Sequence, residues 1–141
     1  MRRRLIIMAL AVALVGAAAF AATRGDDDGR NTSARSSFAD LSEQSGEVTV
    51  QATLLQLTDN GAVAKVVFDT HSAELDLDIA AGATLTVDGV SWPTEGWEGD
   101  GPSGHHREGE LRFSAASPSQ GDAILTIGGL SEPVTFRWPN P

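Results

Sequence analysis

The sequence contains no cysteine, only 6% aromatic residues, and ten basic against nineteen acidic side chains. The lack of cysteine excludes disulfides, thiolate metal ligands and thiol nucleophiles, so an apolar core has to stabilise the folded part. The formal net charge is −9, and residues 46–141 carry four basic against fourteen acidic side chains. A domain this acidic repels phosphate backbones, which argues against nucleic acid as a partner.

The N-terminal segment has the pattern of an export signal. Arginines at positions 2–4 precede an apolar run from Leu5 to Ala22, and the small residues on either side of Phe20 offer a site for a signal peptidase. The run is also close to the minimum length of a membrane-spanning helix, and the charges flanking it orient the N-terminus towards the cytoplasm. Residues 1–22 are therefore predicted to be a cleaved signal peptide or a transmembrane anchor. Both alternatives place the rest of the chain outside the cytoplasm, secreted or tethered to the membrane.

Residues 23–45 are rich in Asp, Ser, Arg and Gly, and Phe38 and Leu41 are their only large apolar residues. This composition buries too little surface to order itself, so the segment is predicted to be a flexible polar linker.

From Gly46 onward the apolar residues recur with a period of two, which is typical of strands with one buried face. Turn signals such as Asn60–Gly61 separate the alternating segments, and no convincing helix is present. The predicted strands are Val48–Leu54, Ala62–Asp69, Leu75–Ile79, Leu85–Val87, Leu111–Phe113, Leu125–Ile127 and Val134–Trp138. The pattern predicts an all-β domain over residues 46–141, a seven-stranded immunoglobulin-like antiparallel sandwich.

The direction of the predicted strands brings three loops to one end of the sandwich. If successive strands alternate in direction, residues 70–73, 89–109 and 128–132 share that end, and all three histidines fall in the first two loops. The loop 89–109 is longer than most connections in a compact domain, and loops of this length are usually functional or disordered.

Several short motifs occur in a characteristic order along the domain. They are Asp69-Thr-His-Ser72, Ser91-Trp92, Gly104-His-His-Arg-Glu-Gly-Glu-Leu-Arg-Phe113 and Phe136-Arg-Trp138. This combination resembles a family of small bacterial exported or membrane-anchored domains without a settled function. The resemblance covers most of residues 46–139 and implies one exported domain, but it implies no chemistry.

The first hypothesis for the histidines is metal binding. His71 together with His105 or His106 offers imidazole ligands for Cu(II) or Zn(II), and Asp69 or Glu108 offers a carboxylate ligand. Two features argue against such a site. Arg107 places a positive charge beside the proposed centre, and adjacent residues of an extended segment point to opposite sides.

The second hypothesis is that a ligand or an envelope protein partner binds Trp92, Trp97 and Arg107 in the long loop, since Trp is enriched in interfaces. Trp92 can instead close over the core, which leaves Trp97 as the exposed indole. No catalytic motif is present, so the chain is not predicted to be an enzyme. The sequence therefore predicts an extracytoplasmic, non-catalytic binding module, with coordination of Cu or Zn by the loop histidines as a hypothesis. The alternative is a structural or protein-interaction domain in which the histidines only brace the loop.

Overall fold

The computed structural model of the protein describes residues 38–140. The predicted signal peptide or anchor (residues 1–22) and most of the predicted linker lie outside the described residues. Within residues 38–140, no helix is long and apolar enough to cross a membrane.

The described residues form two antiparallel sheets that pack face to face. Their elements are β1 (Asp40–Ser45), β2 (Val48–Thr58), β3 (Gly61–Thr70), α1 (Ile79–Gly82), β4 (Ala83–Val87), β5 (Val90–Trp92), β6 (Thr94–Gly99), β7 (His106–Ser114), β8 (Ala123–Ile127) and β9 (Val134–Trp138). The strand order is β1-β2-β3-β7-β6 in the first sheet and β5-β4-β8-β9 in the second. The predicted antiparallel sandwich is confirmed, with nine strands among the described residues where seven were predicted.

The core lies between the sheets and is made by the inward half of each alternating strand. In β3 every second residue from Ala62 to Thr70 is buried, and the residues between them are only partly exposed. The largest fully buried side chains are Trp92, Trp138, Phe68, Phe113, Phe136, Leu54, Leu75, Ile79, Leu85, Leu111, Leu125 and Ile127. Burial of one such aliphatic or aromatic side chain contributes about 1.5–3 kcal/mol, so this core replaces the missing disulfides.

The predicted strand Leu75–Ile79 is wrong. Residues 74–78 pair with no strand, and the chain enters α1, where the Asp78 carboxylate accepts a hydrogen bond from the Ala81 amide at 3.1 Å. Leu75 and Ile79 are buried as the alternation required. The alternation therefore located the buried side chains correctly but not the backbone conformation.

The first strand lies inside the segment predicted as linker. Residues 40–45 form β1, which pairs with β2 along its whole length. Phe38 and Leu41 pack against the core, and the indole N–H of Trp138 donates to the Ala39 carbonyl at 2.8 Å. The linker prediction is therefore wrong for these residues, because backbone pairing and two apolar anchors order a segment of polar composition.

The predicted loop 89–109 is mostly strand. It contains β5, β6 and the start of β7. Strands β6 and β7 pair with each other, from Thr94 opposite Phe113 to Gly99 opposite Gly109. We call the end of the sandwich where β3 ends and β7 begins the upper end. The Asp88–Gly89 turn lies at the lower end, because the Asp88 amide donates to the carbonyl of Asp122, just before β8 begins. Of this loop, only residues 100–105 connect elements at the upper end.

Candidate functional site

An aspartate and a histidine face each other across the sheet at the upper end. Asp69 of β3 is the register partner of His106 of β7, and both side chains are about half exposed on the outer face. The His106 Nδ1 atom lies 2.6 Å from Asp69 Oδ1, and its Nε2 atom lies 3.9 Å from a Glu108 carboxylate oxygen. The imidazole is thus held with one nitrogen on Asp69 and the other towards Glu108.

The hydrogen bond that the His106 ring donates to the Asp69 carboxylate raises the pKa of His106 above its ordinary value of 6.5. The negative charges of Asp69, Glu108 and Asp100 raise the pKa further, whereas desolvation opposes the shift. The structure therefore favours the imidazolium form of this residue.

Below the histidine, alternating charged side chains cover the outer face of β3, β7 and β6. Glu108 pairs with Lys65 at 2.6 Å. Arg112 contacts both Glu98 and Glu110 at 2.9 Å. Between them lies an open depression of about 580 Å³, which we call the acidic groove. It is lined by Lys65, Glu98, Asp100, His106, Glu108, Gly109 and Glu110.

The acidic groove keeps an excess of negative charge despite its ion pairs. Its walls and the adjoining Asp69 bring five carboxylates to this face, against the cations of Lys65, Arg112 and protonated His106. The Glu98 side chain is 67% exposed. Part of this negative charge is therefore accessible to an approaching cation.

The other two histidines predicted as metal ligands do not join His106. The His105 Nδ1 atom lies 2.9 Å from the Ala73 carbonyl oxygen, and the His105 carbonyl accepts from the Thr70 amide at 2.9 Å. His71 is exposed in the loop after β3. Among residues 38–140, no three His, Cys, Asp or Glu side chains are arranged to hold a metal ion.

Arg107, predicted as a binding residue, is buried with 3% of its surface exposed. Its guanidinium donates to the carbonyls of Leu75 (3.1 Å) and Leu77 (2.8 Å), and two of its nitrogens lie 3.2 and 3.4 Å from the Asp100 carbonyl. This corrects its assignment to a binding surface. Arg107 instead holds two parts of the chain against β7. These are residues 74–78, which form no strand, and the turn that follows β6.

The two loop tryptophans are also directed inward. Trp92 is buried, and its indole N–H donates to the Ser117 hydroxyl at 2.9 Å, so it covers the core and is inaccessible to a ligand. Trp97 is only partly exposed, packs edge-on against Phe68 and lies under the Arg107 guanidinium, 5.9 Å from the ring centroid. The assignment of Trp92 to a binding surface is therefore corrected, whereas that of the partly exposed Trp97 stays a prediction.

Lys65, Glu98 and Glu110 line the acidic groove but were not among the predicted site residues. The sequence did carry a signal for two of them, because Lys65 alternates with inward residues along β3 and Glu110 does so along β7. Glu98 had no such signal, since β6 was taken for loop and its pairing with β7 was not foreseen.

No protein-family model matches the chain, and a search of curated proteins found no match. The family resemblance noted from the motifs therefore stays a prediction. Among solved structures, the chain is similar to the crystal structure of MPT63, a secreted protein from Mycobacterium tuberculosis. The two share 15% sequence identity with a TM-score of 0.45, over 72% of this chain and 92% of that one. A likeness of this size indicates nothing about a ligand or partner.

Proposed function

We propose that the chain is an extracytoplasmic, non-catalytic binding module whose acidic groove takes a cationic segment of a protein partner in the cell envelope. The observation that carries the proposal is the open, net-negative groove on the outer face of β3, β7 and β6. The location rests on the N-terminal sequence, where an arginine-led apolar run has the pattern of an export signal.

The groove suits a basic peptide better than an apolar ligand. Its lining is dominated by carboxylates, and those of Glu108 and Glu110 are 45% and 38% exposed. Lysine and arginine side chains of a partner can exchange with Lys65 and Arg112 as counter-ions. Complementary charge of this kind raises the rate of encounter and selects the partner.

A divalent metal has no part in this proposal. Of the predicted ligands, His105 contacts the Ala73 carbonyl and His106 contacts Asp69, while His71 is exposed. The one feature in favour of a metal is the contact of His106 with Asp69, because ligating histidines commonly donate to a carboxylate in this way. Metal binding is therefore included as an outcome of the experiment.

A structural role is the second candidate, and it is favoured by the upper-end contacts. His105 bonds to Ala73, and the Leu75 amide donates to the Gly104 carbonyl at 3.0 Å. These contacts brace residues 100–105 against the segment after β3. A purely structural domain needs this bracing but not the acidic groove.

The test is a titration of the full chain with an oligoarginine peptide, measured by calorimetry at low and at high ionic strength. We expect saturable binding that weakens as salt is added, because screening shortens the reach of exposed charges. The double variant Glu98→Gln/Glu110→Gln is expected to bind at least several-fold more weakly, since it removes two groove carboxylates and leaves Arg112 unpaired.

The matched control is Glu43→Gln/Glu132→Gln, which removes the same charge outside the groove, at two exposed positions on β1 and in the loop before β9. Equal weakening in both double variants would show that overall charge, not the groove, attracts the peptide. Absence of binding at low salt would favour the structural role. A parallel titration with Cu(II) and Zn(II) that raises the melting temperature, and does so only with His106 intact, would restore the metal hypothesis.

A further inference from the structure

The turn between β2 and β3 at the lower end presents an asparagine to solvent. Asn60 is exposed, and its backbone amide lies 3.3 Å from the Thr58 hydroxyl. Among the described residues its side-chain amide has no hydrogen-bond partner. The carboxamide carbon is therefore held by nothing but its own rotamer preferences.

The next residue has to be glycine. A Cβ atom on Gly61 would lie 2.5 Å from the Phe113 carbonyl oxygen, closer than any real contact, and the φ angle of +155° disfavours other residues. Asn60 and Gly61 both line a shallow open groove of about 160 Å³, so water reaches the peptide bond between them. The fold thus requires a glycine directly after an exposed, unpartnered asparagine.

We propose that Asn60 is a site of spontaneous deamidation, a modification that needs no enzyme. The Gly61 backbone nitrogen loses its proton to water and attacks the Asn60 side-chain carbonyl carbon. Ammonia leaves and a five-membered succinimide forms. One water molecule then adds to either ring carbonyl, giving aspartate or isoaspartate. The net change is one water taken up and one ammonia released, without oxidant or reductant. Glycine favours the attack because it has no side chain to shield the nitrogen.

The product alters a turn that other contacts depend on. Neighbouring Asp59 accepts hydrogen bonds from the Ser119 amide (2.8 Å) and hydroxyl (2.9 Å), which join this turn to the segment before β8. Aspartate at position 60 adds a negative charge beside that carboxylate. Isoaspartate also inserts one methylene into the main chain where Thr58 pairs with Gly61, at the end of the β2–β3 ladder.

The experiment incubates the full chain at mildly alkaline pH and physiological temperature, with peptide mapping by mass spectrometry over several weeks. The chain contains two further asparagines that serve as internal controls. Asn140 precedes Pro141, whose nitrogen has no proton to lose, and Asn31 precedes the β-branched Thr32. A synthetic peptide covering residues 58–63 gives the rate without the fold, and the variant Asn60→Asp separates the effect of charge from that of isoaspartate.

We expect the Asn60 peptide to convert to the aspartate and isoaspartate forms at a rate comparable to that of the synthetic peptide, with Asn140 unchanged. We also expect the isoaspartate form to melt at a lower temperature than Asn60→Asp, because only the former lengthens the backbone. Persistence of the Asn60 amide in the folded chain, while the synthetic peptide converts, would overturn the proposal, since it would show that the turn holds Gly61 away from the carboxamide.

Discussion

Replacement of Arg107 by methionine tests how the strandless segment is held. The guanidinium is buried, and the carbonyls of Leu75 and Leu77 depend on it for hydrogen bonds. Methionine fills a similar volume and keeps apolar contact with Trp97, but it donates nothing. The variant therefore removes the hydrogen bonds without opening a large cavity.

The expected loss of stability follows from the groups left behind. A buried acceptor without a donor costs about 1–3 kcal/mol. The carbonyls of Leu75 and Leu77 lose their donor here, whereas that of Asp100 still accepts from the Trp97 indole N–H at 3.0 Å. The contact of the cation with the Trp97 ring adds about 0.5–2 kcal/mol. Relief of the buried charge offsets part of this sum, so we expect the free energy of unfolding to fall by about 3–5 kcal/mol. This is a large part of the usual 5–15 kcal/mol of a folded domain.

The assay is urea unfolding followed by tryptophan fluorescence, with Arg137→Met as the matched control. Arg137 is 66% exposed and pairs with Asp122 at the surface, so its loss is expected to cost under about 1 kcal/mol. Arg107→Lys is expected to fall between the two, because an ammonium cannot bridge the same carbonyls. If Arg107→Met is no more destabilising than Arg137→Met, Arg107 does not hold this segment, and the explanation given for the missing strand fails.

Three further predictions concern single positions. Gly109→Ala should lower the free energy of unfolding by about 1–3 kcal/mol, because its Cβ would lie 2.6 Å from the Glu98 carbonyl oxygen, whereas Gly96→Ala, which meets nothing within 4 Å, should be nearly neutral in the same urea assay. The raised pKa of His106 favours the protonated folded form, so protonation of His106 stabilises the folded state fully below pH 6.5, and this contribution is lost as the pH rises through the folded-state pKa. The variant His106→Gln should therefore flatten this part of the plot of melting temperature against pH. The Ser119 amide lowers the pKa of Asp59, so the ionised carboxylate stabilises the folded state above pH 3.8, and this contribution is lost as the pH falls through the folded-state pKa. In thermal melts of Asp59→Asn, the fall in melting temperature at acid pH that this carboxylate causes should be absent.

The period of two in the sequence predicted the sandwich because burial of alternate side chains is what sheet pairing in this fold requires. The same rule misassigned Leu75–Ile79, where alternate burial is real but the backbone bonds to an arginine side chain instead of a strand. Burial follows from the side chains of the segment itself. Pairing depends on a partner far away in the sequence. Nothing in the residues around Arg107 indicated that its side chain would bond to this segment instead of a neighbouring strand.

The predicted linker failed for a related reason at β1. Its polar residues indicated disorder when the segment was considered alone, yet β2 supplies a complete set of backbone partners from Val48 to Thr53. An edge strand needs few apolar side chains, because only one of its sides is paired and one of its faces is open. Composition therefore underestimates the extent of a sandwich at its edges.

For the site, the sequence correctly predicted that the histidines share one end, although the strand count behind that prediction was wrong. The false strand at residues 75–79 was compensated by the missed β5 and β6, which carry the chain back to the upper end before β7.

The argument that adjacent histidines point to opposite sides was sound: His105 turns to the Ala73 carbonyl, and His106 turns to the outer face. Because the strand geometry divides the pair, a centre that needs both imidazoles is unfavourable here. The same alternation places His106, Glu108 and Glu110 together on the outer face, and this alignment forms one wall of the acidic groove.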